Sequence, residues 1–308
     1  FFFKQKTAYE IKECDWSSDV CSSDLYVNHH GGLQLTPGYY QLRPKDHMGN
    51  IMGELNTPPA QTFVNVTFPE GYTLERMGER MAERVPRLRA VSFTSAATDG
   101  SVRSTYQPDD VNTLEGLLFP DTYQVSNGES VRQVLQRMVD LTERVGAQED
   151  IEVGAMRLGL TPYQVLVVAS LIEREARVDE DRPKIARVIY NRLGIDMELQ
   201  IDAALYYRQD ERLDFATLKE IDSPYNLYLH KGLPPTPITN PGRASIHAAL
   251  NPAPNPSLGD PLCVDLPRDV PCVYLYYVLS DDEGRHAFAA TLEQHEANIE
   301  LAREKGLL

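Results

Sequence analysis

The 308-residue chain has one tryptophan and four cysteines, and it is short of bases. Thirty Lys and Arg stand against 45 Asp and Glu, for a formal net charge of −15. That deficit argues against nucleic acid as a partner, because binding a phosphate backbone takes clustered Lys and Arg. It suits an uncharged or cationic ligand and says nothing about fold. There is no glycine-rich phosphate loop, no His-Glu-x-x-His and no Gly-x-Ser-x-Gly, and the seven His are scattered without metal-ligand spacing. No motif calls for a metal or a cofactor.

Phe1 to Leu25 lacks a continuous apolar h-region and a small-residue cleavage site, so it does not read as a targeting signal. It resembles the translated read-through of a sequencing adapter and is expected to be a non-native, disordered leader, the alternative being a genuine disordered one. On the first reading Trp16, Cys14 and Cys21 are foreign, and the true N-terminus is missing. The absence of a membrane span then carries no information. Three Lys against five Asp or Glu in this stretch account for −2 of the charge, leaving −13. Residues 26–308 are enough for one large domain or two modest ones. Cys263 and Cys272 enclose a short proline-bearing loop without a C-x-x-C, so zinc is not indicated. A disulfide outside the cytoplasm and two free thiols inside it both remain open.

Two early segments share a strand–turn–helix order. Leu33 to Leu55 reads as strand, turn at Pro37-Gly38, strand at Tyr39 to Leu42 and short helix. In Thr62 to Val85, Phe63 to Phe68 alternates like a strand and Pro69-Glu70-Gly71 turns it. Thr73 then caps a helix with Leu74, Met77, Met81 and Val85 on one face. The pattern resembles a LysM-type glycan-binding module, although any small αβ unit would give it. Val91 to Asp110, rich in Ser, Thr, Asp and Gly, predicts a loop or linker. An apolar patch with two acids spans Leu114 to Tyr123. A helix opened near Ser130 carries Val131, Val134, Leu135, Met138, Leu141 and Val145, and Ile151 to Leu158 forms a shorter one stopped by Gly159.

The most informative segment is Val165-Leu-Val-Val-Ala-Ser-Leu-Ile-Glu-Arg-Glu-Ala176. Thr161-Pro-Tyr-Gln164 is a capping-box start with Pro at the first helical position. About three turns of apolar helix then lead to Glu173, with Glu175 close behind. A carboxyl at the end of such a run is a candidate for a raised pKa, which suits a general acid near neutral pH. Two structural alternatives stand beside this. Glu173 could mark where a buried helix re-emerges into water, or it could pair with Arg177 four residues on. Asp179 to Leu193 predicts another helix, ended by Gly194. Pro224 to Pro261 is dense in proline, and a loop this long and stiff usually shapes a binding cleft. Val273 to Leu279 and Ala287 to Ala290 read as strands, and Leu292 to Lys305 as a closing helix.

Several short motifs occur in order: Glu115-Gly-Leu-Leu-Phe-Pro-Asp-Thr-Tyr123, Ala169-Ser-Leu-Ile-Glu-Arg-Glu175, Asn191-Arg-Leu193, Leu199-Gln200 and Asp202. Ser223-Pro-Tyr-Asn-Leu-Tyr228, Gly232-Leu-Pro-Pro235, Pro237-Ile238, Asn240-Pro-Gly242 and Asn251-Pro252 follow. From about Leu33 to the C-terminus this set resembles the YceG-like family, the MltG-type endolytic murein transglycosylases.

The resemblance implies an α+β fold. A small LysM-like αβ module at 26–100 precedes a mixed helix and strand catalytic domain at 101–308 with a glycan cleft. It implies a membrane-anchored enzyme with its catalytic domain outside the cytoplasm, acting on peptidoglycan glycan strands between N-acetylmuramic acid and N-acetylglucosamine. Peptidoglycan synthases are admitted as partners. The family's catalytic glutamate is matched to Glu173. Glu175, Asn191, Gln200, Asp202, Ser223, Tyr225 and Asn226 are expected to line the cleft, with Glu115 and Tyr123 as supports behind it. The chain departs from the family at Ile201 and at Ala203-Ala204, where a polar residue and Pro-Thr are usual. Leu227 replaces a common Thr, Thr236 a common Gly, and the Cys263 to Cys272 loop looks like an insertion. The contrasting reading is a non-catalytic peptidoglycan-binding or division scaffold on the same fold.

Overall fold

The structure is a computed structural model and describes residues 32–33, 35, 40, 42, 46–57, 63–209, 213–257, 259–264, 266–267 and 270–308. The expected leader and most of the strand–turn–strand at 33–42 lie outside the described residues. After the short helix α1 (Met48–Asn56) comes β1 (Phe63–Thr67), then α2 (Leu74–Arg84), whose Thr73 cap accepts from the Arg76 amide. Leu74, Met77 and Met81 are buried along α2, as their helical spacing predicts.

Strand β1 pairs antiparallel with β2 (Thr122–Ser126), Val66 standing opposite Tyr123 and Val64 opposite Val125. This partner lies beyond residue 100, where the LysM-like module was expected to end. One hydrophobic cluster runs across that position, joining Val66, Phe68 and Met77 to Leu117, Val134, Leu166 and Ile246.

Between the strands the expected loop at Val91 to Asp110 begins as a helix, α3 (Ala90–Ala96). Phe93 anchors it in the core, its ring 6.4 Å from that of Phe68. One buried aromatic outweighs the poor helix propensity of the Ser and Thr around it.

Helices α4 (Val131–Gln148), α5 (Ile151–Leu158), α6 (Pro162–Glu175) and α7 (Arg182–Gly194) follow the predicted periodicities. The predicted capping box forms at Thr161 with Gln164, and a second one opens α4 at Ser130 with Gln133. Helix α6 is buried from Val165 through Ile172 and packs against α5, α7, α8 (Asp202–Tyr206) and α10 (Arg243–Leu250). Helix α9 (Phe215–Glu220) lies between the last two. The proline-dense stretch is thus not all loop, since Asn240-Pro-Gly242 launches α10. The hairpin β3 (Tyr276–Leu279) with β4 (His286–Ala289) and helix α11 (Leu292–Glu304) complete an α+β fold. Cys263 and Cys272 are disulfide-bonded, with Cα atoms 5.6 Å apart. Among the described residues no single helix is long and apolar enough to cross a membrane.

The turn at Glu115-Gly-Leu117 is wedged under the Pro237-Ile238 segment. Gly116 has φ +78°, and a Cβ there would stand 2.3 Å from two carbons of the Pro237 ring. Gly116→Ala therefore combines a left-handed backbone with overpacking against a rigid ring, and should destabilise the fold by about 2–5 kcal/mol. A denaturant melt displaced by less than about 0.5 kcal/mol would show that the turn can give way.

Candidate active site

Helix α6 stops at Glu175, with Ala176 already extended. At 3.6 residues per turn, Glu173 and Glu175 leave its last turn about 200° apart and meet different surroundings.

Glu175 points toward β3, where the Tyr277 hydroxyl donates to its Oε2 at 2.9 Å. Burial pushes its carboxyl up to about 7, helped by the charge of Asp202, while the Tyr277 hydroxyl and the Ala203 amide pull the other way. Asp202 is exposed and takes a hydrogen bond from the Tyr228 hydroxyl at 2.5 Å. Burial, and then the charge of Glu175, hold the Tyr277 phenol well above its usual range, so it stays a donor. Arg192 locks the strand behind it. Its Nε donates to the Leu275 carbonyl at 2.7 Å and its Nη1 to that of Leu199 at 2.7 Å, and its guanidinium stacks on Tyr276.

Glu173 has a polar shell instead. Its side chain is 7% exposed, and Oε2 accepts from the Gly242 amide at 3.0 Å and the Ser245 hydroxyl at 2.8 Å. Its ion pair is with Arg182, at 3.6 Å, and not with Arg177 as one alternative had it. Glu70, in the turn after β1, extends its carboxyl over Gly242, where a Cβ would meet it at 1.9 Å. Burial and then the charge of Glu173 push Glu70 upward. The carboxyl that burial raises is thus the one two residues beyond Glu173, at Glu175. Donors supplied by α10 and α7 surround Glu173.

The other expected cleft residues divide. Gln200 is exposed, holds a left-handed φ of +52° and stands two residues before Asp202. Ser223 is partly exposed, its Oγ accepting from the Tyr225 amide at 3.3 Å. The Tyr225 hydroxyl meets that of Thr236 at 2.8 Å, so the Thr that replaces a family Gly has a partner.

Two of the expected cleft residues are engaged within the fold. Asn226 is 1% exposed, its Nδ2 donating to the Lys219 and Ile221 carbonyls and its Oδ1 accepting from the Tyr228 amide, so it braces the loop. The Asn191 amide is likewise spent on Asn255 and the Tyr274 carbonyl, tying α7 to the proline-rich segment.

Glu115 is fully buried and takes bonds from the Leu74 amide, the Tyr207 hydroxyl and the Asn240 amide. Burial pushes it up to about 8. Tyr123 supports the core rather than the site, its hydroxyl on the Phe119 carbonyl at 2.7 Å.

The sequence reading missed Tyr277, Arg192, Arg182, Ser245 and Glu70. Tyr277 left one signal: a tyrosine in a strand with both flanks apolar must find a partner for its hydroxyl.

The model of the YceG-like family matches residues 5–301, a range that begins inside the expected leader. An endolytic murein transglycosylase of Streptococcus pneumoniae serotype 2 (strain D39) is 27% identical over 305 residues, covering 89% of this chain and 52% of that protein. One from Bacillus subtilis (strain 168) is 29% identical over 297 residues, covering 90% of this chain and 77% of that protein. The chain spans about half the length of the streptococcal relative. The crystal structure of a YceG-like protein from Listeria monocytogenes superposes with a TM-score of 0.61 at 28% identity, covering 91% of this chain and 90% of that one. With nearly the whole chain matched by the family model and a solved member sharing its fold, the chain belongs to the YceG-like family.

Proposed function

We propose that this chain is an endolytic lytic transglycosylase that cuts peptidoglycan strands between N-acetylmuramic acid and N-acetylglucosamine, with Glu175 as its acid and base. The observation that carries this is the half-buried Glu175 carboxyl, which accepts from the Tyr277 hydroxyl at 2.9 Å and which burial and the charge of Asp202 push up to about 7. Its relatives' name as endolytic murein transglycosylases supports the substrate class.

Ordinary glycosidases divide the work between two carboxylates. One is enough if the substrate supplies its own nucleophile. Glu175 gives its proton to the glycosidic oxygen as the C1–O bond breaks. The C6 hydroxyl of the same muramic acid then attacks C1, and its proton passes to Glu175, restoring the acid. Holding nucleophile and electrophile in one ring gives the step the high effective molarity of intramolecular reactions. Gln200, Asp202, Ser223 and Tyr225 are the proposed sugar contacts. The disulfide supports a location outside the cytoplasm, since such bonds persist in oxidising compartments.

Mass spectrometry of muropeptides after digestion of purified peptidoglycan tests the reading. The expected products end in 1,6-anhydro-muramic acid and span a range of strand lengths. Reducing ends carrying oxygen from water would mean a hydrolase, with Asp202 as its second carboxylate.

A further inference from the structure

We propose that Glu173 is a positioning residue, pinning the last turn of α6 to α10 and α7 so that the Glu175 carboxyl keeps its aim. The inference rests on the reading of Glu175 as the acid.

The last turn of a helix lacks onward backbone partners and frays unless side chains hold it. Here the acid is the final helical residue, and the chain turns extended at once. Glu173 supplies the missing hold. Its Oε2 bonds the amide of Gly242, the residue capping α10, and the hydroxyl of Ser245 one turn on. The ring closes through Arg182, whose Nη1 reaches Ser245 Oγ at 2.5 Å and lies 3.6 Å from Glu173, while its Nε holds Asp179 at 2.9 Å.

The turn after β1 covers this ring from the other side. A Cβ on Gly71 would stand 3.7 Å from Glu173 Cγ, and Glu70 fills the space above Gly242. A nearby cleft of about 450 Å³ is lined by Glu149, Asp179, Arg182, Arg243 and His247, and Glu173 does not line it. Charge-assisted bonds on one oxygen fix the side chain, and with it the direction of the helix end. About 200° round that end, Glu175 then faces Tyr277 and Asp202. A displacement near 1 Å at the reacting group is enough to cost about 10²-fold in rate.

The test compares Glu173→Gln, Ser245→Ala, their double variant and Glu175→Gln on purified peptidoglycan, with pH–rate profiles and melting curves. Expected are a 10- to 100-fold fall in kcat with little change in KM for each of the first two, and a displaced pH midpoint. The double variant should be no slower than the slower single, because both cut the same ring. If Glu173→Gln does not fold, Ser245→Ala decides alone, since it leaves no charge unpaired. Wild-type kcat and pH midpoint in Ser245→Ala would overturn the proposal. So would Glu173→Gln as inactive as Glu175→Gln beside an unimpaired Ser245→Ala, which would make Glu173 the acid. Wild-type turnover in Glu175→Gln would instead remove the reading of the acid itself.

Discussion

Glu175→Gln should fold normally and lose about 10²- to 10⁴-fold in turnover, the usual worth of general acid–base catalysis. The amide is nearly isosteric, and its oxygen can still accept from Tyr277. It has no proton to give to the leaving oxygen and cannot take one from the C6 hydroxyl. The pH dependence follows from the same carboxyl. With its pKa raised to about 7, Glu175 holds its proton below that value and loses it above. The wild-type kcat/KM should therefore fall as pH rises through about 7, and any residual activity of Glu175→Gln should lack that limb. Digestion of purified peptidoglycan across pH 5–9 reads both effects. Turnover in Glu175→Gln within a few-fold of wild type, with the limb retained, would place the acid elsewhere.

The sequence placed two glutamates at the end of one apolar helix, and only the tertiary fold gives them different partners. The capping box at Thr161, Pro162 and the apolar run determined where α6 begins and which residues it buries. What the run cannot specify is the company at its end. Glu173 meets Gly242, 69 residues away, and Glu175 meets Tyr277, 102 residues away. Burial reads as local hydropathy, but hydrogen-bond partners are set by the tertiary fold. The pairing of β1 with β2 was hidden for the same reason, because strand register over such a separation leaves no local signature. Asn226 shows the same dependence on the tertiary fold. A polar residue inside a proline-bracketed motif looks like a ligand contact, yet here it satisfies carbonyls that the loop would otherwise bury unpaired. Helix α10 was obscured by its setting. Pro and Gly just ahead of a helix mark its start as readily as they mark a turn.

Stability should decline between about pH 5 and 8, with Glu115 the main single cause. Burial raises its carboxyl to about 8, against the Leu74 amide and Tyr207 hydroxyl that favour the charged form. In the unfolded chain it titrates near the ordinary glutamate value, about 4.3. Below that value both states are protonated and the contribution is fully present. Between the two values the unfolded chain has released a proton that the folded chain keeps. Each pH unit upward then costs up to about 1.4 kcal/mol from this group. Above about 8 both are ionised and the loss is complete. When Glu115 is protonated, the Tyr207 hydroxyl can rotate to accept its proton, as hydroxyls serve in either role. Glu175 adds a loss of the same sign that ends near 7. Glu115→Gln separates the contributions. Set with its carbonyl at Oε2 it keeps two donors and turns its NH₂ toward the Asn240 amide, so it should be less stable than wild type at pH 5. Its stability should nevertheless vary less with pH, because the titrating group has gone. Urea unfolding at pH 5, 6, 7 and 8 gives the slope for each protein. Equal slopes in wild type and Glu115→Gln would mean that Glu115 is already ionised in the fold.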